Sequence, residues 1–83
     1  MGEKRKTPTE AFGAVLQELR SETGMTQEAL ALEAGTERSH ISALERAEKG
    51  PSLGTILRLA RALKMPAGEL IQRVEQMLTE KKR

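Results

Sequence analysis

The sequence predicts an all-α protein, a bundle of five helices in one small domain. Its 83 residues suffice for one such domain and not for two. Phe12 is its one aromatic residue, Trp and Tyr are absent, and Val and Ile are few. β-Sheets favour β-branched and aromatic side chains, so this composition disfavours strands. Apolar residues instead recur at helical spacing in five segments, with Gly, Pro and capping residues between them.

The first helix is predicted to begin after Thr7 and to end at Gly24. Thr7 can act as the N-cap, Pro8 suits the first helical turn, and Glu10 completes a capping box. Gly24 is a typical C-terminal stop. The predicted inner face carries Ala11, Phe12, Val15, Leu16 and Leu19.

The second and third helices are predicted to lie very close together in the chain. Thr26 caps the second helix, which ends at Gly35, and the third covers about residues 37–46. Two helices joined by a short turn that contains Gly form a helix-turn-helix unit. Gly35 permits the tight turn because it adopts positive φ without a Cβ clash. We therefore expect a central helix-turn-helix.

The third helix has an apolar and a polar side. Ile41 and Leu44 are predicted to point inward. The predicted outer side carries Arg38, Ser39, Ser42 and Ala43. These side chains are short or capable of hydrogen bonding, and a helix with such a face fits the major groove of DNA.

The fourth and fifth helices are predicted to begin after Ser52 and near Pro66. The predicted apolar face of the fourth carries Leu53, Ile56, Leu57, Leu59, Ala60 and Leu63. The stripe of the fifth carries Leu70, Ile71, Val74, Met77 and Leu78. We interpret this stripe as part core and part homodimer interface. The alternative is that the helix folds back over the first and fourth helices.

The net charge of +2 arises at the two ends of the chain. Residues 7–79, the predicted domain, hold eight basic and ten acidic side chains. We expect 1–6 to be a flexible basic arm and 80–83 a basic tail. The charge of the domain by itself does not indicate nucleic-acid binding. The arm either follows phosphates or a minor groove, or serves only as a solubilising tail.

Several functional classes are disfavoured by residues that the sequence lacks. Cys and Asp are absent, which removes a thiol nucleophile and a Ser-His-Asp triad, and no HExxH or glycine-rich phosphate loop occurs. One His without Cys is a poor basis for a metal site. No apolar run approaches the roughly 20 residues of a membrane span, and no secretory signal opens the chain. We expect a cytoplasmic protein without enzymatic activity, cofactor, metal, small-molecule substrate or membrane contact.

From Phe12 to Leu70 the sequence resembles the lambda-repressor-like domain of Xre and phage repressor/Cro type transcriptional regulators. The matching segments are FGxxLxxLR at 12–20, GMTQEALAxxAG at 24–35, RSHISALER at 38–46 and PSLGTILRLARAL at 51–63. No single segment is decisive, but the series occurs in order and at the right spacings. The resemblance implies double-stranded DNA as the partner, with the third helix in the major groove.

The resemblance also implies individual roles. Gln27 would brace the DNA backbone and a neighbouring recognition side chain, while Arg20 and Glu45 would form an ion pair between the first and third helices. His40 would contact phosphate. The residues implied at base edges are Arg38, Ser39, Ser42 and Ala43, and those implied at the DNA backbone after the third helix are Arg46 and Lys49. Alternatives remain for five of these side chains. Arg38, Ser39 and Ser42 are otherwise ordinary exposed residues, Ala43 contributes only helix propensity, and His40 is partly packed.

Three residues depart from the family pattern. Glu37 replaces the usual Ser or Thr at the N-cap of the third helix, where its carboxylate suits the helix dipole but repels phosphate. It is also able to accept from the N4 amine of a cytosine. Ala47 replaces a Gly after the third helix, which predicts a different turn there. Gln17 replaces a common Arg and removes a positive charge.

The functional prediction is a sequence-specific transcriptional regulator of the repressor type, bound as a homodimer to an inverted-repeat operator. The alternative is a protein-interaction or antitoxin module in which DNA binding is secondary and a partner protein comes first. The apolar fifth helix and the acidic domain favour this alternative to some degree.

Overall fold

The computed structural model describes residues 6–79, which form five α-helices and no strand. The helices are α1 (Pro8–Thr23), α2 (Gln27–Ala34), α3 (Arg38–Glu45), α4 (Leu53–Ala62) and α5 (Ala67–Thr79). The all-α prediction is confirmed. Within 6–79 no helix combines the length and apolar character needed to cross a bilayer. Apart from Lys6, the predicted arm and tail lie outside the described residues.

The helix ends follow local capping chemistry. Thr7 and Glu10 form the predicted capping box, with both reciprocal hydrogen bonds present. The hydroxyl oxygens of Thr26 and Ser52 accept hydrogen bonds from the backbone N–H of the third residue after each cap. Gly24 and Gly35 end α1 and α2 in the left-handed conformation, with φ of 75° and 72°. These five helix boundaries agree with the sequence prediction to within one residue.

A single core joins the five helices. The main helix contacts are those of α1 with α3 and α5, of α2 with α3 and α4, and of α4 with α5. The largest fully buried side chains of the core are Val15, Leu16, Leu30, Ile41, Leu44, Leu59 and Leu70. Each helix contributes at least one of them, so every helix is held by burial of its own apolar face.

The predicted apolar face of α4 is wrong at two positions. Leu53 and Leu57 are 72% and 52% exposed, although the pattern placed both in the core. Thr55 is buried in the inner face instead, where its hydroxyl oxygen accepts a hydrogen bond from Ser52. The inner face of α4 follows Thr55, Leu59 and Ala62, spaced one helical turn apart, and leaves Leu53 and Leu57 on another side.

The α5 stripe folds back onto the rest of the chain. Leu70 and Val74 are buried against the core, and Met77 and Leu78 are partly buried against it. Leu70 and Val74 therefore form the core part of the predicted stripe, and a homodimer interface on this stripe stays a prediction. Ile71 remains exposed. A hydrogen bond also joins α5 to α1: Arg73 Nη2 donates to Glu22 Oε2 at 3.1 Å.

Gly13 sets how closely α1 approaches the end of α3. A Cβ at this position would lie 2.5 Å from the carbonyl oxygen of Leu44 and 2.9 Å from that of Glu45. Both atoms belong to the backbone, so neither can rotate away. Glycine within a helix costs about 1 kcal/mol relative to alanine. Here that cost permits backbone-to-backbone contact between α1 and α3.

We predict that Gly13→Ala lowers the free energy of unfolding by about 2 kcal/mol or more, because the added methyl forces the two helices apart. The matched control is Gly68→Ala in α5, where a Cβ would meet nothing within 4 Å. That change should stabilise by up to about 1 kcal/mol through helix propensity. Urea unfolding followed by circular dichroism measures both variants. Equal effects of the two changes would contradict the close-contact account.

Candidate nucleic-acid interface

The turn between α2 and α3 is closed by backbone hydrogen bonds. Gly35 adopts φ of 72°, and the N–H of Thr36 donates to the carbonyl of Ala31 at 2.9 Å. The Thr36 hydroxyl lies 2.8 Å from Nδ1 of His40 and so links the turn to the first turn of α3. These bonds fix the direction in which α3 leaves α2. The result is the predicted helix-turn-helix.

The outer face of α3 is only partly as predicted. Arg38 and Ser39 are exposed, and His40 and Ala43 are half-buried. Ser42 was predicted on this exposed face but is only 8% exposed. Its hydroxyl accepts a hydrogen bond from Nη1 of Arg46, whose side chain folds back along the helix. The accessible polar surface of α3 is therefore concentrated at its N-terminal end.

Arg46 has a second partner in the segment after α3. Its Nε donates to Glu48 Oε2 at 2.8 Å, and both side chains are exposed. This hydrogen bond raises the pKa of Arg46 above its usual value and lowers the pKa of Glu48. In this arrangement Glu48 offsets part of the positive charge of Arg46, which was predicted to contact the DNA backbone. Lys49 next to it is exposed.

The two ends of α3 differ in how they are capped. Glu37 occupies the N-cap position in extended conformation, but its side chain makes no capping hydrogen bond. Ala47, after the C-terminal end, adopts φ of 61°, the left-handed conformation that favours glycine. The N–H of Glu48 donates to the carbonyl of Ala43 at 2.9 Å and closes this turn. Ala47 thus takes up the conformation a Gly would favour, at an energetic cost.

A partly buried ion pair ties α3 to α1. Glu45 Oε2 accepts from Nε of Arg20 at 2.7 Å, and its Oε1 accepts from Nη2 at 3.1 Å. The Glu45 side chain is 4% exposed and that of Arg20 is 17% exposed. The hydrogen bond raises the pKa of Arg20, against the opposing effect of burial. Arg20 also donates from Nη1 to the carbonyl of Met25, which holds the α1–α2 turn.

Gln27, the first residue of α2, connects this pair to the outer face. Its Nε2 donates to Glu45 Oε1 at 2.9 Å, and its Oε1 accepts from Nη1 of Arg38 at 3.4 Å. The ion pair and the role of Gln27 beside a recognition side chain were predicted from the resemblance. The hydrogen bond between Gln27 and Glu45 was not predicted.

Sequence reasoning missed other features that shape this surface. Gly13 in the interior of α1 was a readable signal, since an interior Gly costs stability and so marks a close approach. Leu32 on α2 is a large apolar side chain that is nevertheless exposed. The link between Thr36 and His40 has the helical i, i+4 spacing, but nothing in the sequence distinguishes it from two solvated side chains.

The fold and this face define a class: a small all-α helix-turn-helix domain with a polar helix end exposed beside α2. The family model described as a helix-turn-helix domain matches residues 11–74. An uncharacterised HTH-type transcriptional regulator, y4dJ of Sinorhizobium fredii, is 36% identical over 59 residues, covering 71% of this chain and 77% of that protein. The chain therefore belongs to the helix-turn-helix family of transcriptional regulators, of the Xre type.

Solved structures of similar proteins agree with this assignment. The restriction-modification controller protein C.AhdI from Aeromonas hydrophila is 42% identical with a TM-score of 0.72, over 75% of this chain and 94% of that one. The clp gene regulator ClgR from Corynebacterium glutamicum has a TM-score of 0.84 at 24% identity, over 90% and 80% of the two chains. The controller protein C.Esp1396I, solved as a tetramer with its natural 35 base-pair operator, has a TM-score of 0.83 at 21% identity, over 90% and 99%. The last two likenesses establish the shared fold.

Proposed function

We propose that this protein regulates transcription by binding double-stranded DNA sequence-specifically, with the N-terminal half of α3 in the major groove. The observation that carries the proposal is the exposure of Arg38 and Ser39 at the start of α3, beside Gln27. Arginine and serine donate to base edges, and the N-terminal residues of a recognition helix are those that reach them.

The remaining contacts divide by their chemistry. Lys49 is exposed after α3, where it is able to neutralise a phosphate. His40 is half-buried, and its Nδ1 is hydrogen-bonded to Thr36. It therefore contacts DNA through its other ring nitrogen or not at all. Ser42 lies beneath Arg46, and base contact by Ser42 would require Arg46 to move. We therefore assign direct reading first to Arg38 and Ser39, and treat Ala43 as an apolar neighbour of a thymine methyl.

We further propose that the protein acts as a homodimer on an inverted repeat. Residues 7–79 carry more acidic than basic side chains, so a single domain has little electrostatic affinity for DNA. Two copies related by a two-fold axis would place their α3 helices about 34 Å apart, one turn of DNA. The proposed self-association surface is Leu53 and Leu57 of α4 with Ile71 of α5, the exposed large apolar side chains on two helices in contact.

The DNA proposal is tested by selection from a pool of duplexes with a randomised central segment. We predict that the wild-type protein enriches one inverted-repeat sequence. For that duplex, Arg38→Ala should weaken binding about 10-fold or more, because a base-reading arginine contributes roughly 1–3 kcal/mol. The control is Arg73→Ala, which removes the same charge from a side chain bonded to Glu22 on α1. No enriched sequence, or equal losses for both variants, would contradict the proposal and favour a protein-interaction role.

The dimer proposal is tested by sedimentation equilibrium on the 83-residue protein. We predict that the wild type is dimeric and that Leu57→Glu is monomeric but folded, because the charge would be buried in the interface without a partner. The matched control is Leu32→Glu, which changes an even more exposed leucine on α2. This control should remain dimeric. A monomeric wild type, or dissociation by Leu32→Glu with Leu57→Glu still dimeric, would refute the assigned surface.

A further inference from the structure

Four side chains form a continuous line of hydrogen bonds from the interior to the outer face of α3. Arg20 donates to Glu45 at 2.7 and 3.1 Å, Gln27 donates to Glu45 at 2.9 Å, and Arg38 donates to Gln27 at 3.4 Å. The line crosses α1, α3 and α2 and returns to the start of α3. It joins the most buried ionic contact of the described residues to Arg38, an exposed candidate base reader.

The polarity of this line leaves one orientation for the Gln27 amide. An ionised Glu45 only accepts hydrogen bonds, and an arginine only donates them. The amide nitrogen of Gln27 must therefore face Glu45, and its oxygen must face Arg38. The reversed amide would set its oxygen against the carboxylate and its NH₂ against the guanidinium. Glu45 thus determines which atom Gln27 presents at the surface.

Burial decreases from Glu45 through Gln27 to Arg38, so the side chains become less restricted in position toward the surface. The Glu45 side chain is 4% exposed and held by a fork of two hydrogen bonds, which is a rigid arrangement. Gln27 is half-buried, and Arg38 is exposed. A free arginine has about 2 kcal/mol of rotamer entropy to lose on binding. A bond to a fixed acceptor removes part of that cost before DNA arrives.

We propose that Glu45 is a positioning residue for base recognition: through Gln27 it holds Arg38 in the direction that reads a guanine. The bond to Gln27 uses Nη1 of Arg38, which leaves the edge formed by Nε and Nη2 for a ligand. Two parallel donors of this kind match O6 and N7 of guanine in the major groove. This inference rests on the proposed DNA binding and adds the origin of its selectivity at one base pair.

Because Gln27 lies at the start of α2, it could instead contact a phosphate of the DNA backbone. The two roles differ in what they do to selectivity. A lost phosphate contact weakens binding to all sequences equally. A lost brace on Arg38 weakens binding only to duplexes that carry the base read by Arg38.

The experiment uses the duplex selected by wild-type protein and its single base-pair variants. Arg38→Ala first identifies the guanine, as the position where the preference is lost. Gln27→Met is then measured, since methionine has similar length but neither donates nor accepts as an amide does. Arg20 and Glu45 remain paired in this variant, so the fold should persist. We expect the preference for guanine to fall about 10-fold at that position alone, and the effects of Gln27→Met and Arg38→Ala to be non-additive.

Glu45→Gln tests the inner end of the line. A glutamine at this position presents either its oxygen or its NH₂, so it no longer orients Gln27, and we expect the same selective loss. This variant is made together with Gly68→Ala and measured at low temperature, with circular dichroism as the check of folding. Should it remain unfolded, Gln27→Met decides the proposal, because removal of the bridge disconnects Glu45 from Arg38.

Two results would overturn the inference. Uniform weakening by Gln27→Met, with the guanine preference unchanged, would assign Gln27 to phosphate alone. A folded Glu45→Gln protein with wild-type selectivity would remove Glu45 from recognition. By contrast, a wild-type protein that enriches no sequence would overturn the proposed function itself and this inference with it.

Discussion

The arrangement of the first three helices depends on the hydrogen bonds that the Glu45 carboxylate accepts. This carboxylate lies at the C-terminal end of α3, almost fully buried, and accepts hydrogen bonds from Arg20 of α1 and Gln27 of α2. A buried charge without partners costs several kcal/mol, so the carboxylate is tolerated only where these donors meet it. The need to satisfy one acidic group therefore specifies how three helices converge.

Backbone packing reinforces the same junction. Gly13 brings α1 against the carbonyls of Leu44 and Glu45, a contact that no other residue type would allow. Ile41 and Leu44 are fully buried on the inner side of α3. With one end pinned and one side buried, α3 keeps only its N-terminal end free. For the proposed insertion of α3 into the major groove this arrangement is useful, because rigid placement lowers the entropy lost on binding.

Local chemistry was predictable from the sequence, and tertiary geometry was less so. Capping by Thr7, Thr26 and Ser52 and the stops at Gly24 and Gly35 act within one turn of the chain, so the helix ends followed from composition and spacing. The exposure of Leu53 and Leu57 did not, because a helix with apolar residues on more than one side does not reveal which side meets the core. Ser42 was misplaced for a similar reason: its cover is the Arg46 side chain, whose rotamer no pattern specifies. The pairing of Arg20 with Glu45 was available only through family resemblance, since the two lie 25 residues apart.

Unfolding of the Arg20→Met variant shows whether the paired Glu45 holds the junction of the three helices. We predict a loss of about 3 kcal/mol in the free energy of unfolding, because the variant leaves Glu45 buried without its cation. The double variant Arg20→Met with Glu45→Met should be more stable than Arg20→Met alone, since no unpaired charge remains. Arg46→Met, which breaks the exposed pair with Glu48, should leave stability unchanged within error. Wild-type stability of Arg20→Met, or a double variant weaker than the single one, would contradict this role of Glu45.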